Sequence, residues 1–235
     1  LAAAMSTLDG LLVSLSTITA NDLVLNLVDR FSPRVRTPEE RMRLGMRASH
    51  VVLVVIAVAA LSFADPGWNA TYSVGVLIGL VLSLGGDIAL MFHQSRKAFL
   101  VGLVLFLSAH IAYTLAFTLL GGFSPQDLIT AAALLLAGVA FFLLVRKNLG
   151  TMAGPVIAYI VVISLMVNRA AALIWSPGFA LSHAALITAG AVLFYLSDVI
   201  LAANRFWKPW KYSRISLLFY YGGQFLLTAS ASLFG

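Results

Sequence analysis

The 235 residues are 61% hydrophobic and only 10% charged, with a mean hydropathy of +0.98 and a formal net charge of +6. A water-soluble domain carries roughly 25% charged residues; this chain has too few charges to face water, and the same composition excludes a disordered chain. With no cysteine, disulfides, thiolate metal sites, iron–sulfur clusters and cysteine nucleophiles are excluded.

Residues 1–47 form an N-terminal segment. Within it, 8–28 (LDGLLVSLSTITANDLVLNLV) is moderately apolar but carries Asp9, Asn21, Asp22 and Asn26, which leaves open a weak extra span and an interfacial helix. No basic stretch precedes this run, which argues against a signal peptide. Arg30 to Arg47 is charged, contains Pro33 and Pro38, and reads as a loop. From 48 to 235 the chain reads as a transmembrane bundle. A spanning helix needs about 20 apolar residues, and seven stretches qualify: 48–64, 71–92, 98–120, 127–145, 151–174, 181–203 and 213–234. The runs are too continuous for a β-barrel, and lipid leaves backbone amides no partner except within a helix. The expected fold is therefore all-α, a polytopic bundle of seven spans with an eighth in 8–28 left open.

The basic residues lie between the runs. Six arginines from Arg30 to Arg47, then Arg96 and Lys97, Arg146 and Lys147, and Arg205, Lys208, Lys211 and Arg214 all fall on one side of a seven-span chain; Arg169 alone falls opposite. The positive-inside rule puts those loops in the cytoplasm and the C-terminus outside. Topology and anionic headgroups account for the positive charge; nucleic acid is not an expected partner, and no protein partner is evident. Small size and the lack of eukaryotic signals favour a bacterial inner membrane.

A carboxylate in hydrocarbon is costly, so an intramembrane acid is a functional candidate. Asp87 (SLGGDIALM) and Asp198 (FYLSDVILA) qualify, each about five residues before the basic end of its run. Asp65 and Asp127 read as loop-edge residues. Gly75, Gly79, Ser83 and Asp87 recur at four-residue spacing, a small-residue contact face that turns Asp87 into the bundle. Asp198 shares a face with Gly190, Ala191, Phe194 and Tyr195. The last run places Ser216, Tyr220, Gln224 and Thr228 on one stripe bordered by Tyr221. His110, Tyr113 and Thr114 share a face of the third, and the fifth carries Tyr159, Ser164, Asn168 and Arg169. His50, His93 and His183 lie at run ends, and no metal-binding histidine spacing occurs. A lone intramembrane histidine such as His110 is more often a packing residue than a metal ligand.

Three blocks carry a resemblance: SLGGDIALM (83–91) with FLVGLVLFLSAHIAY (99–113), GAVLFYLSDVILAANRF (190–206), and FYYGGQFL (219–226), together with Pro155 and Tyr159. As an ordered set they resemble the YhhN/TMEM86 family of membrane proteins, the lysoplasmalogenases. The resemblance covers about residues 70–234. It implies eight spans, which favours 8–28 as the first, and hydrolysis of the vinyl ether of a lysoplasmalogen to a fatty aldehyde and a glycerophospho-ethanolamine or -choline. The family's two aspartates correspond to Asp87 and Asp198; His110, Tyr113, Tyr220, Tyr221 and Gln224 fall in its shared motifs.

The chemistry suits the residues. Vinyl-ether hydrolysis begins with protonation of the alkenyl carbon and passes through an oxocarbenium ion, so it asks for an acid and a nearby negative group. Two carboxyls in a dry site divide those roles, as in glycosidases. Tyr220, Gln224 and His110 would orient the carboxyls or the glycerol hydroxyl. Arg96, Lys97, Arg205 and Lys208, at the basic mouth, could hold the phosphate. No metal or organic cofactor is needed. Two other classes compete. Paired intramembrane acids also build proton-coupled transporters. Against that, there is no clear pair of broken helices, Gly121-Gly122 and Gly222-Gly223 falling near run ends. The other is a non-catalytic lipid-binding protein. A retinal protein is excluded, because 213–234 contains no lysine past Arg214.

Overall fold

A computed structural model of the chain describes residues 69–91, 96–177, 179–208 and 214–231. The run at 48–64 and the segment 8–28 lie outside the described residues. Every regular element described is helical: α1 (Ala70–Met91), α2 (Arg96–Leu120), α3 (Asp127–Val145), α4 (Ala153–Ala172), α5 (Leu181–Phe206) and α6 (Arg214–Ala231). Five of them, α1 to α5, are long and apolar enough to cross a membrane. The sixth, α6, is an 18-residue helix whose apolar character is diluted by its polar stripe.

The breaks fall where the sequence supplies breakers. Helix α2 stops at Leu120, before Gly121-Gly122, and α3 begins after Ser124-Pro125. Asp127 opens α3, and its Oδ2 accepts the Ser124 backbone N–H at 3.1 Å. A carboxylate there satisfies an otherwise orphaned donor and complements the positive end of the helix. Between α3 and α4 the chain makes two short 3₁₀ turns around Gly150, whose φ of 52° lies in the left-handed region. Pro155 lies in the first turn of α4, where its missing N–H costs nothing. Helix α5 continues past the apolar run to Phe206, so Asp198 lies eight residues before its end, whereas Asp87 lies four before the end of α1. The setback of five expected of both therefore differs between the two helices.

Contacts divide the chain into two compact units, one containing Leu80–Phe106 and the other Asp65–Gly79 with Leu107–Gly235. In the first, Gly85, Gly86 and Gly102 let the helices close. A Cβ at Gly86 would sit 2.7 Å from the Phe106 ring, and one at Gly102 would sit 2.9 Å from Leu90. In the second, α5 packs most extensively on α6, and α4 lies against both α3 and α5. Gly223 drives the α5–α6 approach: a Cβ there would lie 2.8 Å from the Gly190 carbonyl oxygen and 2.9 Å from the Phe194 nitrogen. Backbone meets backbone, as small residues allow in membrane helices. Gly222-Gly223 thus sits mid-helix in α6, not near its end as the sequence suggested.

Burial differs from that of a soluble protein: beside an apolar core that includes Tyr72, Phe117, Met166 and Phe194, polar groups lie inside and large apolar side chains outside. The interior holds His110, Asp127, Asn168, Arg169, Ser216, Gln224 and Thr228, while Leu128, Ile129, Leu135, Leu136 and Val139 of α3 are exposed. Of the 19 residues of α3, only Asp127, Gly138 and Val145 are buried. An apolar face of that extent would not persist in water. In contrast, every residue of α4 from Met166 to Ala172 is buried, so the last two turns of that helix are enclosed within their unit.

Candidate active site

Asp198 sits on α5 with its side chain 11% exposed. Its Oδ2 accepts the Tyr159 hydroxyl from α4 at 2.6 Å. His110 Nε2, from α2, stands 3.4 Å from the same oxygen, and its side chain is fully buried. Three helices therefore converge on one carboxyl oxygen. Aromatic rings build the walls: His110 lies 4.7 Å from the Phe194 ring centroid and edge-on to Tyr159 at 5.3 Å. Phe194 in turn meets Tyr220 edge-on at 5.2 Å, and Tyr113 at 6.3 Å. Phe194 is fully buried one turn before Asp198, because the Gly190–Gly223 crossing brings that face of α5 onto α6.

The polar residues of α2 diverge. Tyr113 turns to α6, donating its hydroxyl to Gln224 Oε1 at 2.8 Å. Its ring lies over Gly79, where any side chain would enter it. The Thr114 hydroxyl bonds back to the His110 carbonyl at 2.7 Å. That places Thr114 in its own helix backbone and not with its two neighbours. On α6 the predicted stripe is buried along its whole length: Ser216, Tyr220, Gln224 and Thr228. Tyr221, part-buried, packs on Tyr220 with centroids 5.2 Å apart. Tyr195 is part-buried beside Phe194 on α5. Asp87 is part-buried on α1, in the unit that holds Leu80–Phe106. Of the basic candidates, Lys97 is exposed in the first turn of α2 that Arg96 opens, Arg205 is exposed in the last turn of α5, and Lys208 is exposed just beyond it.

Sequence reasoning grouped the polar residues of α4 together, and the structure separates them. Tyr159 serves Asp198. Ten residues further on, about 15 Å along the helix, Arg169 and Asn168 serve Asp127 instead. Arg169 Nη1 pairs with Asp127 Oδ2 at 2.9 Å, and its Nη2 donates to the Gly122 carbonyl at 2.6 Å. Phe123 lies 4.3 Å below the guanidinium. Asn168 Nδ2 donates to the Asp127 carbonyl at 2.8 Å and to Thr130 Oγ1 at 2.6 Å. Asp127 is therefore not an idle loop-edge acid but one half of a buried ion pair that fastens the α2–α3 loop to α4. A second tie missed in the sequence joins Tyr72 at the start of α1 to Ser230 near the end of α6, hydroxyl to hydroxyl at 2.6 Å.

Long apolar helices, with a polar, aromatic-walled carboxyl among them, define a multi-pass integral membrane protein. The chain belongs to the YhhN family, which it matches over residues 42–231. That stretch includes every described residue. The chain is similar to bovine lysoplasmalogenase TMEM86A, 32% identical over 159 residues, which are 66% of this chain and 64% of that one. It is also similar to human lysoplasmalogenase TMEM86B, 34% identical over 154 residues, 65% of this chain and 61% of that one. Human lysoplasmalogenase TMEM86A is 33% identical over 66% of this chain and 64% of its own. The chain thus spans somewhat under two thirds of these relatives' lengths. No solved structure matches it.

Proposed function

We propose that this protein is a lysoplasmalogenase, a membrane hydrolase that cleaves the vinyl ether of a lysoplasmalogen. The observation that carries this reading is the Asp198 carboxyl, held by Tyr159 at 2.6 Å and faced by His110 at 3.4 Å inside an apolar helix. A carboxyl so placed is costly to keep in an apolar interior and is therefore a functional candidate, and the named relatives supply the substrate class.

The reaction is proton chemistry. An acid protonates the alkenyl carbon distal to the ether oxygen, and the adjacent carbon becomes an oxocarbenium ion. Water adds to that carbon and loses a proton. The hemiacetal collapses to a fatty aldehyde and the glycerol hydroxyl of glycerophospho-ethanolamine or -choline. One of Asp198 and Asp87 donates the proton, and the other stabilises the cation and positions water. Asp87 is assigned on sequence grounds, from its place on the Gly75–Gly79–Ser83 face and in the family's motif. A positioned proton donor contributes ~10²–10⁴-fold. Tyr159 and His110 fix the orientation of the Asp198 carboxyl; Phe194 and Tyr220 wall it from bulk water, so that the water that adds to the cation is a positioned one.

Arg205 and Lys208, exposed at the end of α5, supply charge of the sign a phosphate seeks; Lys97 and Arg96 do so at the start of α2. The basic loops face the cytoplasm of a bacterial cell, by the positive-inside rule. No metal or organic cofactor enters the scheme. The test is to incubate the purified chain with 1-alkenyl-glycerophosphoethanolamine and follow products by mass spectrometry. Stoichiometric fatty aldehyde and glycerophosphoethanolamine are expected; intact substrate after prolonged incubation would refute the reading.

A further inference from the structure

Gln224 and Thr228 lie one turn apart on α6 and are only 4% and 6% exposed. Tyr113 donates to Gln224 Oε1 at 2.8 Å, which fixes the amide and turns its Nε2 away from Tyr113. That Nε2 and Thr228 Oγ1 are both buried with no hydrogen-bond partner among the described residues. Buried polar groups left unpaired cost free energy and call for an explanation in a ligand or a bound water. The pair can use both hydrogen-bonding capacities of a hydroxyl. Nε2 can only donate, whereas a threonine hydroxyl can accept. The Cβ atoms of residues four apart on a helix stand about 5–6 Å from each other, so the two side chains rise from neighbouring points on one face. One small polar group lying between them can reach both at hydrogen-bond lengths of roughly 2.7–3.0 Å.

We infer that Gln224 and Thr228 form the subsite that reads the free C2 hydroxyl of the lysolipid glycerol. This rests on the hydrolase reading and names the part of the substrate these side chains take. The hydroxyl accepts from Gln224 Nε2 and donates to Thr228 Oγ1. A phosphate does not fit there: the buried cation among the described residues, Arg169, is already paired with Asp127, so an anion beside Gln224 would have no buried countercharge. An acyl ester at C2 is served less well: it can only accept, whereas a hydroxyl both accepts from Gln224 and donates to Thr228, and it brings a second chain. The subsite thereby selects a lysolipid over its diacyl parent. Tyr113 acts through Gln224 as a positioning residue, its ring held over Gly79.

The test compares two substrates on the full chain in lipid–detergent micelles: 1-alkenyl-glycerophosphoethanolamine and its 2-deoxy analogue, scored by aldehyde release. Wild-type protein is expected to prefer the hydroxylated substrate by about 10–100-fold in kcat/KM. In Gln224→Met and in Thr228→Val the preference should shrink to roughly threefold or less. Equal losses on both substrates, with the ratio preserved, would mark a packing or water-binding role and overturn the inference, as would a wild-type protein indifferent to the hydroxyl. If Gln224→Met does not fold, the ratio in Thr228→Val decides. Aldehyde from neither substrate with wild-type protein would instead sink the hydrolase reading itself.

Discussion

Tyr159 and Asp198, 39 positions apart in the chain, meet across α4 and α5 through one hydrogen bond of 2.6 Å. The bond fixes a carboxyl oxygen that His110 also faces. Removing the phenol hydroxyl should therefore disturb orientation more than packing. Tyr159→Phe is expected to lower kcat about tenfold with KM nearly unchanged, as loss of one hydrogen bond to a reacting group does. Steady-state kinetics on the purified variant measure the split; a rise in KM alone would assign Tyr159 to substrate binding.

The Arg169–Asp127 pair predicts a stability effect separable from activity. Both side chains are buried, and removing one partner of a buried pair leaves an uncompensated charge, at a cost of about 3–5 kcal/mol. Arg169→Met should lower the unfolding temperature in detergent markedly. Pairing it with Asp127→Asn should recover part of the loss, because the stranded carboxylate is gone. The folded fraction should keep its kcat, because Arg169 lies ten residues along α4 from Tyr159. Additive losses in the double variant would show that the two residues do not act together.

Adjacent glycines on α6 give a sharper contrast. Gly223→Ala puts a Cβ 2.8 Å from the Gly190 carbonyl, whereas Gly222→Ala meets only Leu193 at 3.5 Å, an ordinary contact. The first should destabilise by about 1–3 kcal/mol, as overpacking does, and should lose activity as Phe194 is displaced. The second should be close to neutral. Thermal unfolding and turnover of the two variants, side by side, check both halves of the claim.

These cases show where the sequence was informative. The polar stripe of α6 was readable, because a four-residue recurrence of polar groups in an apolar helix marks the face turned from lipid, and the inward face of Asp198 was readable from the small and aromatic residues that share it. The apolar runs likewise located α1 to α6 to within a few residues. Tyr159's partner and the Asp127–Arg169 tie were not readable. Each joins helices about 40 residues apart, and the rotation of a uniformly apolar helix about its axis leaves no mark in its own periodicity. Gly223 looked like a terminal glycine because only the position of Gly190 reveals the crossing.

Topology is open to labelling, and the lack of native cysteine makes single-cysteine variants clean reporters. Thr151 precedes α4, on the side of the basic 146–147 turn, and Ser182 starts α5 at the other end of the α4 span; both are exposed. In intact cells an impermeant maleimide should label Ser182→Cys and spare Thr151→Cys. The reverse pattern would invert the orientation.

The most direct measurement is aldehyde release by Asp198→Asn, with Asp87→Asn in parallel and each variant shown to be folded. The amide keeps the shape of the side chain but can neither give up an acidic proton nor carry the charge that steadies an oxocarbenium ion. A fall of at least ~10²-fold in kcat is expected for Asp198→Asn. Turnover close to wild type would contradict a catalytic role for the carboxyl that Tyr159 holds.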